Sequence, residues 1–169
     1  LETRECRGAG LPGDLAAWRS GNVGYLRVGS FAMGTLSPAD LRSELANVLE
    51  PLRGCTSLVV DLLGNRGGDW AAMGVLASSF LERSVTEVPH EGRLRTSTTS
   101  WFVTRIEDTT TVQRRGDVEP LHFAKILVLV DQATASAAEI LAAILRCKAG
   151  ATLIGETTSG AETWVHRVQ

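Results

Sequence analysis

Lysine is nearly missing from this sequence: of its 17 basic residues only Lys125 and Lys148 are lysines, the rest being arginines. Chemistry that needs a lysine side chain therefore has two candidates. The arginines are scattered along the chain and the net charge is -2, so no basic patch of the kind that binds a phosphate backbone is present, and a nucleic-acid partner is not expected. Cysteine is equally sparse. Cys6, Cys55 and Cys147 are odd in number and lack paired metal-ligand spacing, which excludes a complete disulfide framework; Cys55 and Cys147 are read as small core or near-core residues. His90, His122 and His166 share no metal spacing, and neither a metal nor a cofactor is expected. No apolar run exceeds strand length, which argues against a membrane span. A charged-then-apolar leader is absent too, but a mature or excised fragment reads the same, so the compartment stays open.

What is present describes one ordinary domain. The 169 residues, 44% hydrophobic and 21% charged, suffice for a core without disulfides or a metal. Residues 1–22 carry five glycines or prolines and little periodicity, and are read as a loop or linker before an ordered domain over 23–169. Gly24 to Phe31 alternates like a strand. A helix follows, with Ser37 as cap, Pro38 at its first position, Asp40 completing a Ser-x-x-Asp box, and Leu41, Leu45, Val48, Leu49 and Leu52 as one apolar stripe. Ser57 to Leu63 is nearly continuous in apolar character, as a strand buried on both faces should be, and only Asp61 interrupts it. Trp70, Met73, Leu76, Ala77, Phe80 and Leu81 recur at helical spacing. Val85 to Gly116, including the alternating stretch Trp101 to Ile106, is read as strands or a hairpin. Ile126 to Val130 is another buried strand, a helix runs from about Ser136 to Cys147, and Ala151 to Gly155 closes the set. Strands alternating with helices predict an α/β fold, a mostly parallel sheet with crossover helices.

Open sheets of this kind place their chemistry at the carboxyl ends of the strands. Three loops lie there: Asp61 to Gly68, Asp131 to Glu139 and Gly155 to Ala161. Ser136 stands at a strand-to-helix junction, where its hydroxyl meets the positive end of the helix and the Ala137 amide has no intrahelical partner. A plainer reading is a helix cap, Thr134 or Ser136, with Glu139 as capping-box partner. Gly67-Gly68 lets backbone amides approach a substrate closely and offers a second donor for an oxyanion, or is simply a turn. Asn65 is suited to pin that loop, and Asp61 inside an apolar strand needs a partner or an edge position.

The sequence VVDLLGNRGG resembles the motif Asp-Leu-Arg-x-Asn-x-Gly-Gly of the tail-specific, or C-terminal-processing, serine peptidases. ILVLVDQATASAAEI resembles the nucleophile segment of that family, and ATLIGETTSGA the segment that usually reads Gly-Glu-x-Thr-x-Gly-Lys. Three motifs in order, spanning roughly Gly24 to Gln169, are far more specific than any one. The resemblance implies a crotonase-like or ClpP-like α/β core. It also implies Ser136 as nucleophile, oxyanion amides from Ala137 and from Gly67 or Gly68, and a protein or peptide as substrate. No segment is long enough to be the PDZ domain such proteins often carry, and a homo-oligomer is left open. The family favours a periplasmic or secreted location, with a cytoplasmic one also compatible.

Two positions depart from the pattern. Leu63 replaces the motif arginine, and Ala161 stands where the Ser-Lys branch has its general-base lysine, so the chain as written lacks that route to an activated serine. Three explanations compete: an alanine introduced to disable the enzyme, membership of the tricorn-like or retinoid-binding-protein-like branch, whose active members are thought to use a histidine and a glutamate, or a pseudo-peptidase that binds peptide or lipid without cutting. For the second, His166 is the first choice of base and Glu156 the candidate orienter, while Lys125 and Lys148 are not assigned. Trp164, near the third loop, is a candidate subsite residue. A thioester enzyme on the related crotonase fold is the weakest alternative.

Overall fold

The computed structural model describes residues 4–7, 15–32, 38–81, 85–92, 106–112 and 120–161. In chain order the elements are β1 (Arg4–Arg7), β2 (Leu15–Ser20), β3 (Val23–Val28), α1 (Pro38–Leu49) with a 3-10 turn (Glu50–Leu52), β4 (Ser57–Asp61), α2 (Trp70–Ser78), β5 (Val85–Gly92), β6 (Ile106–Val112), β7 (Lys125–Val130), α3 (Ala137–Ala149) and β8 (Thr152–Gly155). Six strands form one sheet in the order β1-β2-β3-β4-β7-β8, and β5 and β6 pair separately as an antiparallel ribbon. Within the large sheet β3, β4, β7 and β8 run parallel to one another, while β1 and β2 add an antiparallel edge.

Each parallel strand lies beside the next in sequence, always on the same side, so crossovers of one hand carry α1, α2 and α3 to one face. The strands show it in their alternation. Leu26, Val28, Leu58, Val60, Ile126, Val128 and Val130 are buried and share a core with Leu41, Leu45 and Val48 of α1, Met73 and Leu76 of α2, and Ile140, Leu141, Ile144 and Leu145 of α3. Burying side chains of this size contributes about 1.5–3 kcal/mol each. Tyr25, Arg27, Val59, Leu127 and Leu129 point to the opposite face, where they are half-buried, and Ile154 is 46% exposed.

Three boundaries and one burial differ from the sequence expectation. The expected loop over residues 1–22 contains two strands. β2 pairs along its whole length with β3, and Leu15 and Ala17 are buried beneath it, a strand that its two small alanines hide from any reading of β propensity. The second helix stops at Ser78, and Phe80 and Leu81 remain in the core without being helical. The first predicted strand ends at Val28, with Phe31 joined to Gly68 by an isolated parallel bridge. Cys55 is buried as expected, but Cys147 is exposed in the last turn of α3. The expected cap Ser37, the stretch from Trp101 to Arg105, Trp164 and His166 lie outside the described residues.

Candidate active site

The three loops of the sequence reading converge at the carboxyl ends of β4, β7 and β8. The first is organised by Asn65, which is wholly buried. Its Nδ2 donates to Val28 O at 2.8 Å, its Oδ1 accepts the Gly67 N–H at 2.8 Å, and its carbonyl accepts the Ala135 N–H at 2.9 Å. One side chain thus ties the loop to β3 and folds it on itself, and the Asn65 backbone reaches the Asp131–Glu139 loop. The Phe31 N–H donates to Gly67 O and the Asp69 N–H to Phe31 O, both at 2.9 Å, so the loop leaves as an extended segment beside Phe31. Asp69 then caps α2, accepting from the amides of Ala71 and Ala72.

Both glycines are required by contact as well as by dihedral angle. At Gly67 (φ 91°) a Cβ would stand 2.8 Å from Ala135 O and from Ser136 Cβ, and 3.0 Å from Ala137 N. At Gly68 (φ 138°) it would overlap the backbone of Phe31 and Ala32. The glycine turn is therefore pressed directly against Ser136, as a site built from a hydroxyl and neighbouring amides needs.

Asp131 organises the second loop. Its Oδ1 accepts from the amides of Ala133 and Thr134, and its carboxylate accepts from Gly64 N–H of the first loop at 2.9–3.0 Å. These bonds, the one from Gly64 foremost, hold its carboxyl below the usual 3.8. The buried Thr134 hydroxyl stands 3.0 Å from Leu62 O, a second tie between the two loops.

Ser136 follows at φ 53°, ψ -123°, the only non-glycine residue with positive φ among those described. Such a backbone costs of order 1–3 kcal/mol and is retained where the surroundings impose it. The Ser136–Glu139 capping box is present, and its firm half is the carboxylate's: Glu139 Oε2 accepts the Ser136 N–H at 2.9 Å, while the serine hydroxyl makes no cap hydrogen bond of ordinary geometry. Ser136 is half-buried beside the start of α3. The N–H groups of Gly68 and Ala137 make no hydrogen bond to another described residue. That of Gly67 donates to Asn65 Oδ1.

The third loop is sewn onto the second. The Ser159 N–H donates to Thr134 O at 3.0 Å and the Glu156 N–H to Val130 O at 3.1 Å. Glu139, 5% exposed, accepts the Gly160 N–H on Oε1 at 2.7 Å and the Ala161 N–H on Oε2 at 3.0 Å. Because the Ser136 and Ala161 amides share one carboxylate oxygen, their nitrogens lie within roughly 6 Å of each other. The sequence reading treated Glu139 only as a cap partner. An acid three residues into a helix is visible in a sequence, but the two amides it reaches from another loop are not.

The other candidates have no hydrogen bond to Ser136 among the described residues. Glu156 is exposed in the third loop, and His166 lies outside the described residues. His122 and Lys125 sit at the start of β7 and Lys148 in the last turn of α3, the ends remote from Ser136. Asp61 has the partners it needed: Tyr25 Oη donates to its Oδ2 and Arg27 Nη1 to its Oδ1 at 2.6 Å.

Residues 22–169 match the sequence profile of Peptidase family S41. The chain belongs to that family. It is 32% identical over 147 residues to a carboxyl-terminal-processing protease of Picosynechococcus, covering 82% of this chain and 29% of the relative. It is 33% identical over 139 residues to the chloroplastic carboxyl-terminal-processing peptidase 1 of Arabidopsis thaliana, covering 82% of this chain and 25% of that one. The chain thus spans less than a third of the length of these curated relatives. Its fold superposes on the solved photosystem II D1 C-terminal processing protease with a TM-score of 0.55 and 22% identity, over 95% of this chain and 37% of that one.

Proposed function

We propose that this S41 domain is the serine-peptidase core of a protein that cleaves protein or peptide chains, with Ser136 as nucleophile, and that Ala161 leaves it impaired as written. The observation that carries the reading is Ser136 held at positive φ against the Gly67 turn, with the Gly68 N–H of that turn and the adjoining Ala137 N–H making no hydrogen bond to another described residue. In the proposed reaction Ser136 Oγ attacks the peptide carbonyl, its proton passing to a base, and the carbonyl oxygen becomes an oxyanion received by the Gly68 and Ala137 N–H groups. Collapse breaks the C–N bond, the amine leaves with a proton, and water releases the acyl group from Ser136. One such amide is typically worth 10²–10³ in rate.

The base is the weak point of the chain. Glu139 is unsuited to it, because its two oxygens already accept three backbone amides, and Ala161 offers only a methyl group. The short reach from the Ala161 amide to the Ser136 amide supports position 161 as the place from which a long amine would address the hydroxyl. Ala161→Lys is therefore expected to raise peptide hydrolysis by about 10²–10⁴ over the starting protein. A folded Ala161→Lys protein that stays at background refutes the Ser-Lys version of this reading.

The missing base also favours a second reading, a pseudo-peptidase module that holds a peptide or apolar ligand at the same cleft without cutting it. Peptide binding unchanged by Ser136→Ala, together with no labelling by serine-directed reagents, would distinguish it from the first.

A further inference from the structure

Asp61 ends β4 just where the glycine loop begins, and it is 6% exposed. It belongs to the face of the sheet turned away from the helices, directly opposite Arg27 in the parallel register of β3 and β4. Its carboxylate has three partners. Tyr25 Oη donates to Oδ2, Arg27 Nη1 donates to Oδ1 at 2.6 Å, and the Leu63 N–H donates to Oδ1 at 3.0 Å. The last bond fixes the first amide of the loop that continues through Asn65 to Gly68. Tyr25 is itself braced, its ring stacked on Trp18 with centroids 4.3 Å apart.

A carboxylate this buried needs a cation, and it meets only one among the described residues. The motif that this segment resembles would bring an arginine two residues after the aspartate, but position 63 is leucine. Leu63 nevertheless touches the same carboxylate through its backbone, so a long side chain starting at position 63 begins within reach of Asp61. The one cation it meets comes from the neighbouring strand. We infer that Arg27 supplies, from β3, the cation that the motif would bring at position 63, and that it is a positioning residue for the Leu62–Asp69 loop. Without Arg27 the carboxylate keeps only the phenol and one amide, turns toward water and loosens its hold on the Leu63 N–H.

The inference stands apart from the catalytic reading, because its test reads backbone amides and not turnover. Hydrogen exchange is followed at residues 63–68, with Leu141 to Leu145 of α3 as a reference for global opening, in the starting protein, in Arg27→Leu, and in Arg27→Leu combined with Leu63→Arg. Arg27→Leu is expected to speed loop exchange at least about tenfold more than exchange in α3, and the double variant to return it to within about threefold of the starting protein. If Arg27→Leu alone does not fold, recovery of a folded protein by the added Leu63→Arg supports the proposal in the same way. Loop exchange unchanged in Arg27→Leu, acceleration equal in loop and helix, or a double variant no better than the single one each overturns it.

Discussion

Glu139 holds Ala161 by its backbone: the carboxylate oxygen that accepts the Ser136 N–H at 2.9 Å also accepts the Ala161 N–H at 3.0 Å. The residue at 161 can therefore change its side chain without losing its place, since nothing beyond the amide is needed to keep it there. The neighbouring Gly160 N–H on the other oxygen, at 2.7 Å, stops the loop from pivoting about a single bond. The carboxylate also sits in the first turn of α3, where the helix dipole favours a negative charge.

Replacing Glu139 by glutamine tests this bracket. The amide group keeps one acceptor but turns an NH₂ toward backbone donors, so at least one charge-assisted bond is lost and a donor faces a donor. Bonds to a charged group are worth about 1.5–3 kcal/mol each, and Glu139→Gln is expected to lower unfolding stability by about 2–4 kcal/mol. Urea denaturation measures the loss, and the amide signals of Gly160 and Ala161 should move furthest in a heteronuclear spectrum. A spectrum in which those two amides stay in place would show that the carboxylate does not hold the loop.

Gly67 and Gly64 separate contact from dihedral strain. At Gly64 (φ 74°) a Cβ would meet nothing within 4 Å, so Gly64→Ala adds only the cost of a left-handed backbone, about 1–2 kcal/mol. At Gly67 the same methyl group meets Ala135 O, Ser136 Cβ and Ala137 N at 2.8–3.0 Å, and those atoms belong to the loop that carries Ser136. Gly67→Ala is expected to cost about 3 kcal/mol or more and to lower serine labelling disproportionately. Equal losses for the two variants would mean that Gly67 does not press on Ser136.

Much of this arrangement was legible beforehand, and the illegible part has a physical pattern. The stripes Leu41, Leu45, Val48 and Ile140, Leu141, Ile144, Leu145 repeat at helical spacing because one face of each helix is buried, and Ile126 to Val130 is apolar because the strand lies inside the sheet. Loops at strand ends follow from the same reading, which is why Ser136, the glycine turn and Ala161 could be grouped in advance. What was hidden depends on register or on a single hydrogen bond. Whether Arg27 faces Asp61 depends on how two strands align, residues 34 apart in sequence. Whether Gly67 or Gly68 keeps an open amide depends on which one Asn65 takes. β2 has no such signal in the sequence, because Ala16 and Ala17 carry too little side chain to mark a strand.

Tyr25 is the only tyrosine in the chain, so its ionisation can be followed by absorbance without interference. Burial and then the hydrogen bond to the Asp61 carboxylate push it up from 10.0 to about 12. A phenol whose pKa is raised on folding contributes stability that is fully present below about pH 10 and is lost as the pH climbs through about 12. Tyrosinate absorbance should therefore appear near pH 12 in the folded protein, and Asp61→Asn should move it back toward 10. A transition at 10 in the starting protein would mean that Tyr25 is not bound to Asp61 in solution.

Ser136 joins a left-handed backbone to the hydroxyl of the proposed reaction. Its φ of 53° is uphill for any residue with a Cβ, and glycine removes that strain while giving back about 0.5–1 kcal/mol through the added freedom of the unfolded chain. Ser136→Gly is therefore expected to be more stable than the starting protein by about 1 kcal/mol, although it has lost the hydroxyl on which the proposed reaction depends. Ser136→Ala loses the same hydroxyl but keeps the strain, so it should show no such gain. Comparing the denaturation midpoints of the two variants isolates the backbone term from the side chain. If glycine proves no more stable than alanine, the serine is not strained and its positive φ stores no energy for the proposed reaction.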